Sequence, residues 1–172
     1  FSKIDPFIEI LDNNLVIIDY RIELGEKSKI KKITFIGDKI FKDKKLRNII
    51  LSEEARFWKF LSNRKFVNKE IVNLDENLLK NFYLNKGYFD VQINSTLAKM
   101  SQDGNFELIY NINANKKFYF DNLRIIFPKD FKEESFVKVN NSFLKLKGEP
   151  YSIYKIEDIL KQIETISILD EY

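Results

Sequence analysis

Shifted by 90 residues, the chain falls on itself without a gap, and this internal repeat restricts the possible folds more than any other feature. Val16, Ile18, Tyr20 and Ile22 coincide with Phe106, Leu108, Tyr110 and Ile112, a period-2 strand in both copies. The register continues through a short polar link, GEKSK (25–29) against NKKFY (115–119), into a second strand in which Ile30, Ile33 and Phe35 meet Phe120, Leu123 and Ile125. Phe41 then meets Phe131, Leu46 meets Phe136 and Ile49 meets Val139. A repeated order of strand, link, strand, turn and helix predicts tandem domains of an α+β class. Residues 1–27 read as the closing hairpin of one unit (FIEIL and LVIIDYRIEL around Asp12-Asn13-Asn14) and 28–114 as a complete unit. Residues 115–172 read as the first strand and two helices of a third. With Phe1 rather than methionine at its start, the sequence reads as a piece of a longer chain. The terminal piece is expected to be loose, because a helix bearing Ile156, Ile159, Leu160 and Ile163 would present an apolar face without its full sheet.

Within the complete unit the strand KIKKITF (29–35) is followed by a turn at Gly37-Asp38-Lys39, where glycine supplies positive φ. A short helix follows, capped by Asp43, with Leu46, Ile49 and Ile50 on one face. The loop ARFWKFLSNRKF (55–66) is read as a plug between the two helices, with Phe57, Trp58, Phe60 and Phe66 completing a small core. Asn68 is a candidate N-cap for the second helix, whose Ile71, Leu74, Leu78 and Phe82, at steps of three and four, predict the face toward a sheet. Gly87 is placed as the left-handed residue of a Schellman cap, with Tyr83 and Tyr88 as its flanking hydrophobic pair. Directly afterwards Phe89, Val91 and Ile93 alternate with Asp90, Gln92 and Asn94, which predicts a strand over Tyr88–Leu97 with one wet face. Ser101-Gln102-Asp103-Gly104 turns it into the strand Phe106–Ile112. The unit is β-α-α-β-β, a three-stranded mixed sheet covered by two helices.

Composition removes whole classes of chemistry. The chain has no cysteine and no histidine, so thiol nucleophiles, disulfides, Cys/His zinc sites and imidazole acid–base catalysis are excluded. Asp12, Asp75, Glu53-Glu54 and Glu133-Glu134 show no EF-hand spacing, and no phosphate-cradling glycine loop is present. No enzyme activity, metal or organic cofactor is expected. Positive and negative charges are interspersed to a net +3, so runs such as KSKIKK (27–32) read as solvated surface rather than a nucleic-acid footprint. An RNA-binding KH module would need a GXXG loop between its helices. SEEARFWKFLSNRKF (52–66) contains no glycine.

In combination, ITFIGDKIF (33–41), FWKFLSNRKF (57–66), LDENLLKNFYLNKGYFDVQI (74–93) and the junction LGEKSKIKKITF (24–35) resemble the POTRA domains of BamA-type outer-membrane protein assembly factors. The middle unit is similar to the third of the five POTRA domains in that family, flanked by the end of the second and the start of the fourth. Asp38 stands where the family often has asparagine, and Phe127-Pro128-Lys129-Asp130 replaces the glycine turn in the third copy. The resemblance implies a scaffold on the periplasmic side of the bacterial outer membrane, attached to a membrane barrel outside this chain. It would bind accessory lipoproteins and unfolded outer-membrane protein clients. A POTRA scaffold of another secretion or translocation system is the alternative.

A physical route to such binding follows from the unit itself. With the hairpin's second strand in the middle, the strand from Tyr88 lies at an edge and offers unpaired main-chain groups. Tyr88, Asp90, Val91, Gln92, Ile93, Asn94, Ser95 and Thr96 are therefore the candidate partner-binding residues, by strand addition. Polar side chains at alternate positions also read as protection of that edge against aggregation. Gly37, Asp43, Trp58, Tyr83 and Gly87 are expected to be structural. The short links Gly25, Glu26, Lys27 and Asn115, Lys116, Lys117 are expected to form restricted hinges.

Overall fold

The computed structural model describes residues 3–12, 15–23, 27–56, 62–99, 105–126 and 133–169. Trp58 and its aromatic neighbours Phe57 and Phe60, the hinge residues Gly25 and Glu26, the hairpin turns at 13–14 and 101–104, and the segment 127–131 lie outside them. Strands β1 (Lys3–Leu11) and β2 (Leu15–Glu23) form a two-stranded antiparallel sheet with Lys3 opposite Glu23 and Leu11 opposite Leu15. The middle unit follows as β3 (Lys29–Asp38), α1 (Asp43–Arg47), α2 (Lys69–Leu84), β4 (Gln92–Lys99) and β5 (Asn105–Asn113). Its sheet has the order β3-β5-β4, with β5 parallel to β3 and antiparallel to β4. Joining parallel neighbours requires a crossover, which α1 and α2 supply, and the β4–β5 hairpin then inserts its second strand between the other two.

The core lies between sheet and helices. Ile30, Ile33 and Phe35 from β3 and Leu108, Tyr110 and Ile112 from β5 meet Leu46 from α1 and Leu79 and Tyr83 from α2. Each such side chain contributes about 1.5–3 kcal/mol on burial. The buried face of α2 is one residue away from the expected stripe: Val72, Asp75, Leu79 and Tyr83 point inward, whereas Leu74 and Leu78 are exposed. A carboxylate sits in the middle of the inward row. Asp75 is fully buried and accepts hydrogen bonds from the Leu51 amide (2.5 Å), the Ser52 amide (3.2 Å) and the Tyr110 hydroxyl (2.6 Å). It thereby ties the end of the α1 segment to α2 and to the central strand. Burial and the adjoining Asp75 carboxylate push the Tyr110 phenol far above its ordinary value.

Local signals account for the element ends. Asn68 caps α2, its Oδ1 accepting from the amides of Glu70 (2.8 Å) and Ile71 (3.1 Å). At the other end Gly87 has φ +96°, the Gly87 amide donates to Leu84 (3.2 Å) and the Tyr88 amide to Tyr83 (3.1 Å). These are the two bonds of a Schellman motif, accompanied by the Tyr83 and Tyr88 rings edge to face at 5.8 Å. Asp43, in contrast, is not a cap. It is the first residue of α1, the N-cap Lys42 makes no side-chain cap, and the Asp43 carboxylate pairs with Lys39 Nζ at 2.6 Å. The helix is only five residues long, and Ile49 and Ile50 reach the core from the segment after it.

The third segment departs from the repeat. Instead of a strand over Phe120, Leu123 and Ile125, residues 115–126 carry one isolated bridge, Tyr119 to Pro150. A strand persists only where its main-chain groups find a ladder, and the described residues of this segment offer none. Helices α3 (Val137–Leu146) and α4 (Ile153–Leu169) close on a small cluster of Phe136, Val139 and Ile159, while Leu160 is exposed.

Candidate functional site

A three-stranded sheet has two edges, and this one treats them differently. On β3 five outward groups are occupied. The Ile30 carbonyl accepts from the Ala55 amide (2.7 Å), the Ile33 amide donates to Glu54 Oε1 (3.1 Å), and the Ile33 carbonyl accepts from Arg47 Nη2 (2.5 Å). Farther along, Lys39 Nζ donates to the Phe35 carbonyl (2.9 Å), and the Lys39 amide to the Gly37 carbonyl (3.0 Å). Glu54 is held for this task by Arg47 (2.5 Å) and Arg56 (3.0 Å). Burial alone would raise the Glu54 carboxyl, but the Ile33 amide and the two guanidiniums outweigh it and hold it below the usual carboxylate range.

The β4 edge has no such covering. The Ala114 amide donates to the Asp38 carbonyl (3.0 Å), so even-numbered residues of β5 turn their main-chain groups toward β3 and odd-numbered ones toward β4. Through the register Asn113–Gln92, Asn111–Asn94 and Ile109–Thr96, it is Gln92, Asn94 and Thr96 that bond to β5. Ile93, Ser95 and Leu97 therefore direct N–H and C=O outward, and among the described residues nothing outside the sheet bonds to them. The side chains of Gln92, Asn94 and Thr96 are exposed, and that polar row keeps the face beside the free edge wetted.

Not every candidate residue joins this edge. The strand begins at Gln92, four residues later than the alternation predicts. Tyr88 is consumed by the helix cap and packs edge to face on Phe41 as well as Tyr83. The Val91 amide turns back to the Tyr88 carbonyl (3.4 Å), leaving Val91 buried, and the Asp90 carbonyl accepts from Asn115 Nδ2 (2.7 Å). Thus Tyr88, Asp90 and Val91 build a turn, whereas Gln92, Ile93, Asn94, Ser95 and Thr96 stand on the edge strand.

Sequence reasoning did not anticipate the junction that adjoins this turn. Asn115 takes φ +56°, the Phe118 amide donates to the Gly87 carbonyl (2.7 Å), and Phe89 packs on Phe118 and Tyr151 at 6.1 and 5.2 Å. Asn85, just past α2, accepts from the Ser152 hydroxyl (2.9 Å) and the Tyr154 amide (3.0 Å), so one unit's helix end finishes the capping of α4 in the next. The expected hinge residues Asn115, Lys116 and Lys117 lie inside this bonded joint. Lys27, on the other side, rests over the Phe66 ring at 5.6 Å.

Residues 28–115 match the family model for POTRA, described as a surface antigen variable number repeat. Over 162 residues the chain is 21% identical to the outer membrane protein assembly factor BamA of Neorickettsia risticii, spanning 94% of this chain and 21% of that protein. Against the protein of the same name from Neisseria meningitidis serogroup B it is 32% identical over 59% of its length and 13% of the relative's. With that of Buchnera aphidicola it shares 28% identity over 99% of the chain and 28% of the relative. The chain therefore spans between 13% and 28% of the length of these curated relatives. A crystal structure of Haemophilus influenzae BamA POTRA3-5 superposes on 95% of this chain and 61% of its own at a TM-score of 0.58 and 13% identity, a likeness of fold.

Proposed function

Since the chain belongs to the POTRA family, we propose that it is a scaffold segment on the periplasmic side of the outer membrane, within the machinery that assembles outer-membrane proteins. It binds accessory subunits and unfolded clients by accepting an extended segment along β4. The observation that carries this reading is the asymmetry of the sheet: β3 has five outward groups bonded to Arg47, Glu54, Lys39 and Ala55, and among the described residues β4 leaves Ile93, Ser95 and Leu97 open. Main-chain pairing needs no particular side chains on the partner, which suits a scaffold that handles clients of many sequences. The relatives named as assembly factors support the setting.

Proline separates edge pairing from folding because, at an outward position, it deletes one N–H and sets its ring where a partner strand would lie, while breaking no bond to β5. Ser95→Pro and Leu97→Pro remove donors aimed at a partner; Asn94→Pro removes one aimed at β5. The first two variants are expected to keep the fold by circular dichroism while losing binding of extended client peptides, and the third to unfold the unit. Undiminished peptide binding by both folded variants would refute addition at β4.

A further inference from the structure

At the start of β4 the open edge runs into a cleft of about 600 Å³ that neither unit forms alone. Its walls include Lys80 of α2 and Lys116 of the inter-unit link, beside Phe89, Phe118, Asp90 and Gln92. Both lysines are exposed and neither is paired with a carboxylate among the described residues, against the single acid Asp90. Phe89 and Phe118 remain 53% and 41% exposed despite packing on each other, which leaves apolar surface for a further side chain.

From this placement we infer that the cleft receives the end of the segment added along β4, and that it selects an extended peptide carrying an acidic residue next to an apolar or aromatic one. The inference rests on the edge reading above and adds a chemical preference to it. A strand paired through Ile93, Ser95 and Leu97 must leave β4 at Gln92, and its next residues then pass between Lys80 and Lys116 and over the two phenylalanines. An ammonium group from each unit favours a carboxylate there, and the rings favour apolar contact. The cleft is also preformed. Asn115 holds the Asp90 carbonyl, the Phe118 amide holds Gly87, and Asn85 anchors Ser152 and Tyr154, so little ordering cost falls on binding.

The test uses the complete chain and fluorescein-labelled peptides of alternating Val and Thr flanked at both ends by Asp-Phe, Asn-Phe or Lys-Phe, read by fluorescence anisotropy. The Asp-Phe peptide is expected to bind about fivefold more tightly than the Asn-Phe peptide at low ionic strength, with the Lys-Phe peptide weakest and the differences fading in high salt. Lys80→Gln combined with Lys116→Gln, two exposed changes that leave the core alone, is expected to bring the Asp-Phe peptide to the affinity of the Asn-Phe peptide. Equal affinity for all three peptides, with Ser95→Pro or Leu97→Pro still abolishing binding, would overturn the cleft and leave the edge reading standing. An acidic preference that persists in both proline variants would overturn edge addition and with it the placement of the strand end. Binding of none of the peptides would overturn both.

Discussion

Asp75→Leu probes the buried network most directly. Leucine copies aspartate's branching in a somewhat larger side chain, but it leaves the Leu51 amide, the Ser52 amide and the Tyr110 hydroxyl without their shared acceptor. An orphaned buried donor costs about 1–3 kcal/mol, so three amount to about 6 kcal/mol. Burial of the new apolar side chain returns about 2 kcal/mol. The net loss is about 4 kcal/mol. Asp75→Asn keeps an oxygen for the two amides and can turn its NH2 toward the Tyr110 oxygen, so it should lose only about 1 kcal/mol. Thermal melting followed by circular dichroism separates them, since about 4–8 °C accompanies each kcal/mol in a domain of this size. Asp75→Leu is expected to fall by more than about 15 °C and Asp75→Asn by less than about 8 °C. Two variants melting within a few degrees of each other would refute the claim that the carboxylate holds the α1 segment to α2 and β5.

Gly37→Ala is expected to unfold the middle unit or lower its stability by at least about 2 kcal/mol, measured in urea, because Gly37 has φ +84° and a methyl group there would lie on the Ile112 carbonyl of β5. Ile40→Gly should raise stability by about 1 kcal/mol in the same assay, since a β-branched residue sits at φ +55° with its side chain 53% exposed and little packing to lose. Alkaline stability should fall once pH passes about 10: burial raises the phenols of Tyr83 and Tyr110, so the unfolded chain releases protons there that the folded chain retains. Stability is full below the unfolded pKa and lost above it, and urea midpoints from pH 8 to 11 should drop less steeply in Tyr110→Phe.

What was legible in the sequence was whatever depends on neighbours along the chain. Asn68 caps α2 through amides two and three residues away, and the Gly87 stop closes within six residues, so both are visible as local patterns. The inward row of α2 was misread because it passes through Asp75. A carboxylate interrupts the apolar period, and only the fold shows the amides and the phenol that make its burial tolerable. The start of β4 was misplaced because alternation at Phe89 and Val91 fits a strand equally well until Tyr88 is committed to the cap. The covering of β3 and the Asn85 anchor are invisible for another reason. Arg47 and Glu54 reach Ile33 from 14 and 21 residues away, and Asn85 meets Ser152 across 67, with side chains that, taken singly, look like any solvated arginine, glutamate or asparagine.

The one-sided covering of the sheet also fixes its valency. Open-ended growth of stacked sheets requires two complementary edges on each copy, so that every addition presents a fresh one. In the three-stranded sheet Arg47, Glu54, Lys39 and Ala55 hold five outward groups of β3, and β4 is the edge left open among the described residues. A second copy of this three-stranded sheet meeting the first pairs β4 to β4, which consumes the open edge of each and ends the process at two. A client strand likewise terminates the sheet on a scaffold whose opposite side cannot pass the pairing on. The unit can thus present a permanently adhesive strand at high local concentration without seeding a fibre, as a bottle with one mouth can be filled but not threaded.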